Sequence, residues 1–342
     1  MEEIEKYLTE NIHLEPEYFD ALLKIDQTDY VYLMYSYYNI RLQNYVPAID
    51  LLKKVPENTS QKSLLLMVEG LIEIYYNNNQ SSISLLYKSA DVDQKNKWVR
   101  LELFYVLQQS EPHLAWGYLE EALKIDQNFN EAIYERVKYY DTLSNCSEII
   151  SEIMRMPQSY VDAEILNTLA YAFYNCFQVD NALKILDGSL AKKETPGAYH
   201  LLGAINIEKD ELDAAITYFD KALELDANQP DTLVAKGWVL FDLGRLDEAK
   251  QIFFSLLKNE HFQELYNQVI QFCFKIKDLQ QALFFINESK IKNSTNYMNQ
   301  GYSIVYHSLK NDSNLNVLVR EYKSNYSDTE YGWLKDIINE YS

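Results

Sequence analysis

Apolar and polar positions along this chain follow a pattern that is itself copied: Gly203, Leu212, Ala215 and Phe219 return as Gly237, Leu246, Ala249 and Phe253, all at one offset. A period of this length marks one supersecondary unit repeated in tandem, each copy burying its apolar face against its neighbours. Following the small residue of the second helix gives Ala48, Ser82, Ala115, Ile149, Ala182, Ala215, Ala249 and Ala282, a spacing that never slips by more than one position. The pattern predicts eight helix-turn-helix units from about residue 28, and a ninth, degenerate one that carries Tyr297, Gly301 and Tyr322, with an insertion near Asn311, Asp312 and Ser313. Ile149 breaks the small-residue rule, and its unit, with Tyr134, Val137 and Tyr140, matches its neighbours less well. Residues 1–27 read as N-terminal capping helices over 2–10 and 16–25, the second placing Tyr18, Leu22 and Ile25 at helical spacing. Residues 326–342 read as a C-terminal capping helix, with Ser327 and Asp328 as N-cap oxygens and an apolar stripe of Trp333, Leu334, Ile337 and Ile338.

Tyr199-x2-Leu202-Gly203, followed by Ala215-x3-Phe219 and Lys221-Ala222-Leu223-Glu224-Leu225-Asp226, resembles the tetratricopeptide repeat. The resemblance extends over 28–325 and is best in 163–195, 196–229 and 230–262. Lys236 stands where the family has leucine, Asn206 where it has a large residue, and Ala227 where its proline closes the second helix. Pro196 and Pro230 sit instead at helix starts, where a missing N–H costs nothing. Packing explains the motif, since a small residue on each helix lets two antiparallel backbones approach and large residues fill the space around that contact. The resemblance implies an all-α fold, a right-handed α-solenoid (superhelix) of about eight to nine such units, and a non-catalytic role in binding other proteins.

Composition narrows the partner. Lys and Arg total 31 against 51 Asp and Glu, a formal charge of −20, which disfavours nucleic acid and would speed encounter with a basic partner. No run approaches eighteen apolar residues, so no membrane association is expected. The opening Met1-Glu2-Glu3-Ile4-Glu5-Lys6 lacks a signal-peptide pattern. Cys146, Cys176 and Cys273 are widely spaced and without CxxC, which reads as apolar fillers or incidental thiols in a reducing cytoplasm. His13, His113, His200, His261 and His307 fall in different units, none beside another histidine or a cysteine. Phosphate-loop, dinucleotide, GxSxG and HExxH motifs are missing too. The expectation is no enzyme, no metal and no cofactor.

In the resembling family the first helices line a concave surface, and the residue after the small helix-packing position contacts ligand. That register gives Tyr37, Leu71, Phe104, Lys138, Tyr171, Ala204, Trp238, Gln271 and Tyr302, and one turn further on Ile40, Ile74, Leu107, Asp141, Tyr174, Ile207, Phe241 and Phe274. His200 projects beside Asn167 of the unit before it and Val234 of the unit after it. The candidate groove is therefore Tyr37, Phe104, Lys138, Asn167, Tyr171, Tyr174, His200, Trp238, Phe241, Gln271 and Tyr302. It is aromatic and poor in charge. Lys138 and Asn167 are isolated, which disfavours a carboxylate clamp and favours an apolar helix or extended segment as ligand. The leading expectation is a cytoplasmic, monomeric scaffold or adaptor for a protein or peptide. The alternatives are a chaperone or immunity-type inhibitor of an effector or toxin, and a small-ligand sensor.

Overall fold

The computed structural model describes residues 16–258, 265–292, 297–310 and 315–341. The helix expected over 2–10 and the insertion near 311–313 lie outside them. The described residues form twenty helices and no strand, an all-α solenoid of helical hairpins. Packing divides the chain into two compact units, one up to Lys193 and one from Glu194.

The N-terminal unit begins with α1 (Pro16–Leu22). Five hairpins follow: α2 (Asp29–Arg41) with α3 (Tyr45–Leu52), α4 (Lys62–Tyr75) with α5 (Asn79–Val92), α6 (Lys97–Leu107) with α7 (Pro112–Ile125), α8 (Asn130–Thr142) with α9 (Cys146–Arg155), and α10 (Ala163–Asn175) with α11 (Val179–Lys192). The C-terminal unit pairs α12 (Pro196–Glu208) with α13 (Leu212–Leu225), α14 (Pro230–Asp242) with α15 (Leu246–Leu256), α16 (Tyr266–Lys275) with α17 (Leu279–Lys292), and α18 (Tyr297–Leu309) with α19 (Leu315–Asn325), then ends in α20 (Asp328–Tyr341).

All eight second-helix residues picked out by the repeat, from Ala48 to Ala282, are buried. Opposite them the first helices carry glycine at the tightest places. A methyl group added at Gly203 would collide with the Phe219 ring, and one at Gly237 would lie 2.8 Å from Phe253. Both rings are fully buried, so they have nowhere to move. The repeat period is thus the signature of a steric fit between a bare backbone and an aromatic ring.

Helix ends explain the turns. Asn96, Asp162 and Thr195 cap α6, α10 and α12 by accepting backbone N–H groups of the first turn, and prolines open α7, α12 and α14. Gln43, Asn77, Ser144, Phe177, Asp210, Gly244 and Lys277 all have positive φ at the turn inside a hairpin. Six of these seven are not glycine, so the turn geometry imposes a left-handed residue whatever its side chain.

Both chain ends described here are covered. Phe19 of α1 is buried and stacks on Tyr35 with ring centroids 4.9 Å apart. The expected stripe is shorter than its spacing suggested: α1 stops at Leu22, which leaves Ile25 beyond the helix and 84% exposed. At the other end Ser327 and Glu330 form a reciprocal capping box, Ser327 N–H donating to Glu330 Oε2 at 2.7 Å and Glu330 N–H to Ser327 Oγ at 3.4 Å. That box starts α20, whose Trp333 ring covers Gly301, while Leu334 and Ile337 are buried.

Two helical glycines test the steric account. Gly117→Ala, in α7 with nothing within 4 Å of the new methyl, is expected to stabilise by about 0.5–1 kcal/mol through helix propensity. Gly203→Ala should instead destabilise by about 1–3 kcal/mol, because overpacking against Phe219 outweighs that gain. Urea denaturation of the two variants checks this, and stabilisation by both would rule out the close approach.

Candidate functional site

The first helices carry the candidate groove, and the two units treat that face differently. In the first, third and fourth hairpins of the N-terminal unit it is bridged from within. Tyr37 on α2 is buried, its ring edge-on to Trp98 at 5.6 Å, and its hydroxyl donates to Glu102 Oε1 on α6 at 2.6 Å. Arg41 donates to the same oxygen at 3.1 Å and lies 5.1 Å over the Tyr105 ring. The Tyr105 hydroxyl donates in turn to Glu135 on α8 at 3.1 Å. Glu135 also accepts from Lys138 Nζ at 2.9 Å, which sits 4.6 Å over Tyr134. The first and third hairpins therefore meet directly through a ladder of alternating aromatic, acidic and basic groups.

Burial sets the electrostatics of this ladder. The Tyr37 phenol is held well above its ordinary range by burial and then by the Glu102 carboxylate. Glu131, in the first turn of α8, has a buried Oε2 with no hydrogen-bond partner. Burial pushes its carboxyl up to about 7, against the lowering pull of Arg41 and Lys97. Lys97 is itself held by Asp126 at 2.6 Å and lies over the Phe129 ring at 4.8 Å.

In the C-terminal unit two aromatic side chains of this face, Trp238 and Phe241, are half-buried. Trp238 on α14 is half-buried, packs edge-on against Phe253 at 5.1 Å and Phe241 at 5.8 Å, and donates from Nε1 to Gln268 on α16 at 3.1 Å. Phe241 is also half-buried. His200 Nδ1 lies 2.8 Å from Thr232 Oγ1, with its ring against Phe219. Burial lowers the His200 pKa more than Asp231 raises it, which keeps the ring neutral near pH 7. Gln271 donates to the Tyr302 hydroxyl at 2.7 Å.

Three expected groove residues are corrected by these positions. Tyr37 is sealed by the third hairpin, Asn167 is buried and accepts from Ser189 of its own hairpin at 2.7 Å, and Tyr302 is buried edge-on to Trp333 of α20. Phe104, Tyr171 and Tyr174 are half-buried in the N-terminal unit, and Lys138 is exposed but engaged with Glu135. Trp238, Phe241, His200 and Gln271 remain as half-buried residues of the C-terminal unit. Arg41, Glu102, Glu131 and Glu135 were missed. The reading of the cysteines is corrected as well. Cys146 and Cys176 form a disulfide with Cα atoms 5.9 Å apart, whereas Cys273 is a buried thiol pushed up to about 12, chiefly by burial. Among the described residues no three His, Cys, Asp or Glu side chains gather as a metal set, and no helix is long and apolar enough to cross a membrane.

Comparison with known proteins agrees with the hairpin geometry. Residues 206–271 match the family model of the tetratricopeptide repeat. No curated protein matches the chain. Among solved structures, PilW, described as a widely conserved type IV pilus biogenesis factor, aligns at 18% identity and a TM-score of 0.50, over 60% of this chain and 99% of its own. A monomeric mutant of IFIT1 with Gppp-AAAA aligns at 12% identity and a TM-score of 0.56, over 95% of this chain and 85% of its own. At these identities the likeness is one of fold.

The buried Glu131 predicts a pH effect with a definite sign. Its folded-state pKa, about 7, lies above the ordinary 4.5, so the fold favours the neutral carboxyl. The stability this contributes is complete below about pH 4.5 and is lost as the pH rises through 7. Glu131→Gln, neutral at every pH, is therefore expected to stabilise by about 2 kcal/mol at pH 8 and to change little at pH 4.5. Urea midpoints at the two pH values measure this; an equal effect at both would exclude Glu131 as the titrating group.

Proposed function

We propose that this chain, a tetratricopeptide-repeat protein, is a non-catalytic scaffold that holds a partner protein or peptide against the first-helix face of its C-terminal unit, around Trp238 and Phe241. The observation that carries this reading is the contrast between the two units. In the N-terminal unit the ladder from Tyr37 to Lys138 occupies the same face, with each carboxylate already bonded. In the C-terminal unit a half-buried indole, bonded to the side-chain amide of Gln268, stands with a half-buried phenyl ring.

Aromatic surface flanked by amides suits an apolar helix or an extended segment, whose side chains pack on the rings while its backbone bonds to the amides. The formal charge of −20 favours a partner with basic flanks. IFIT1, similar in fold, has Gppp-AAAA in its structure. Here Arg41, Lys97 and Lys138 are paired with Glu102, Asp126 and Glu135, so these cations are not set out for phosphates and a protein partner is the better-supported reading.

Trp238→Ala is expected to weaken partner binding at least tenfold, about 2 kcal/mol for a hot-spot aromatic, with helicity by circular dichroism unchanged. Affinity capture with the wild-type and variant chains, followed by titration of the captured partner, measures the effect. Equal affinity in a variant of unchanged helicity would move the interface away from this face.

A further inference from the structure

The hairpin of α8 and α9 is built unlike the others. Ile149 stands where the other second helices carry alanine or serine, and both it and Val137 of the first helix are buried. Charge takes the place of some apolar contact. Arg136 donates to the buried Glu152 at 2.8 Å and faces Glu120 at 3.5 Å. Arg136 Nε and Glu131 Oε2 are buried without hydrogen-bond partners, and Glu152 Oε2 is met by Arg155 at 3.3 Å. Buried ions with incomplete bonding contribute little net stability, because desolvation offsets the attraction. A bulky residue at the closest approach and two buried polar atoms without hydrogen-bond partners mark this hairpin as weakly packed.

The disulfide attaches at this hairpin. Cys146 is the first residue of α9, and Cys176 directly follows α10 in the next hairpin. The bridge ties two adjacent turns across 30 residues, so that when α9 opens its end stays tethered. Both residues are half-buried beside exposed neighbours, Leu143 on one turn and Phe177 on the other, which leaves the sulfurs within reach of a soluble thiol. Cys273 is fully buried in the other unit and takes no part.

We infer that the Cys146–Cys176 disulfide is a redox-controlled staple for the α8/α9 hairpin, and that its reduction loosens this hairpin while the C-terminal unit stays folded. The reductant is a dithiol. One of its thiolates attacks a cysteine Sγ, the protein S–S bond breaks, and a mixed disulfide forms with the other cysteine released as a thiol. The second thiol of the reductant then displaces the remaining cysteine. Two electrons pass to the protein, the reductant leaves as its own disulfide, and Cys146 and Cys176 each end with a proton. The hairpin is closed in an oxidising compartment and labile in a reducing one, and its opening uncovers Ile149 and Ile153, both buried in the oxidised form.

Hydrogen exchange read by mass spectrometry on the full chain tests this, comparing the untreated protein, the protein in dithiothreitol, and a Cys146→Ser/Cys176→Ser variant without reductant. The expected result is exchange at least about tenfold faster over residues 130–155 in the last two samples, no change in the C-terminal unit, recovery on reoxidation, and alkylation of both cysteines only after reduction. Alkylation of Cys146 and Cys176 in the untreated protein would overturn the inference. So would equal exchange in all three samples, or faster exchange spread evenly across the N-terminal unit.

Discussion

The closest contact in each hairpin, a small residue of one helix against the side chains of the other, is the constraint on which the rest of the structure depends. Where it is tightest, at Gly203 under Phe219 and Gly237 under Phe253, no Cβ fits. That contact fixes the separation and rotation of the two helices, and so decides which residues of the first helix turn inward and which face the next hairpin. Its recurrence in register, from Ala48 through to Ala282, makes the whole chain legible. Where it fails, at Ile149, a covalent bridge ties the hairpin to the next one.

One fold yields two kinds of inner face. In the N-terminal unit the first-helix side chains find each other, and the ladder through Glu102 and Glu135 satisfies Tyr37, Arg41, Tyr105 and Lys138. Such a network orders the unit and leaves little bonding capacity for a ligand. In the C-terminal unit Trp238 and Phe241 stay half-buried, and Trp238 bonds to the neutral amide of Gln268. Uncharged aromatic surface loses little on desolvation, which is why we propose it as the docking face.

The sequence was most informative about what repeats and least informative about what happens between repeats. All eight second-helix packing positions were legible because each is set by contacts inside one hairpin. Tyr37 was misjudged because its exposure depends on how closely the third hairpin approaches the first, which the register does not encode. Tyr302 was misjudged because α20 covers it, with Trp333 resting on Gly301. Asn167 pointed the expected way along the chain but is used by Ser189 of its own hairpin. Cys146 and Cys176 looked remote in sequence, yet a separation of 30 is close to one repeat and brings neighbouring turns side by side.

The most direct test of the scaffold reading is site-specific photo-crosslinking in the full chain, with a photoreactive residue replacing Phe241 in one variant and Lys138 in another, each incubated with the captured partner. The account predicts a partner adduct from position 241 and none from position 138. An adduct from position 138 alone would place the partner on the N-terminal unit and contradict the division of labour proposed for the two faces.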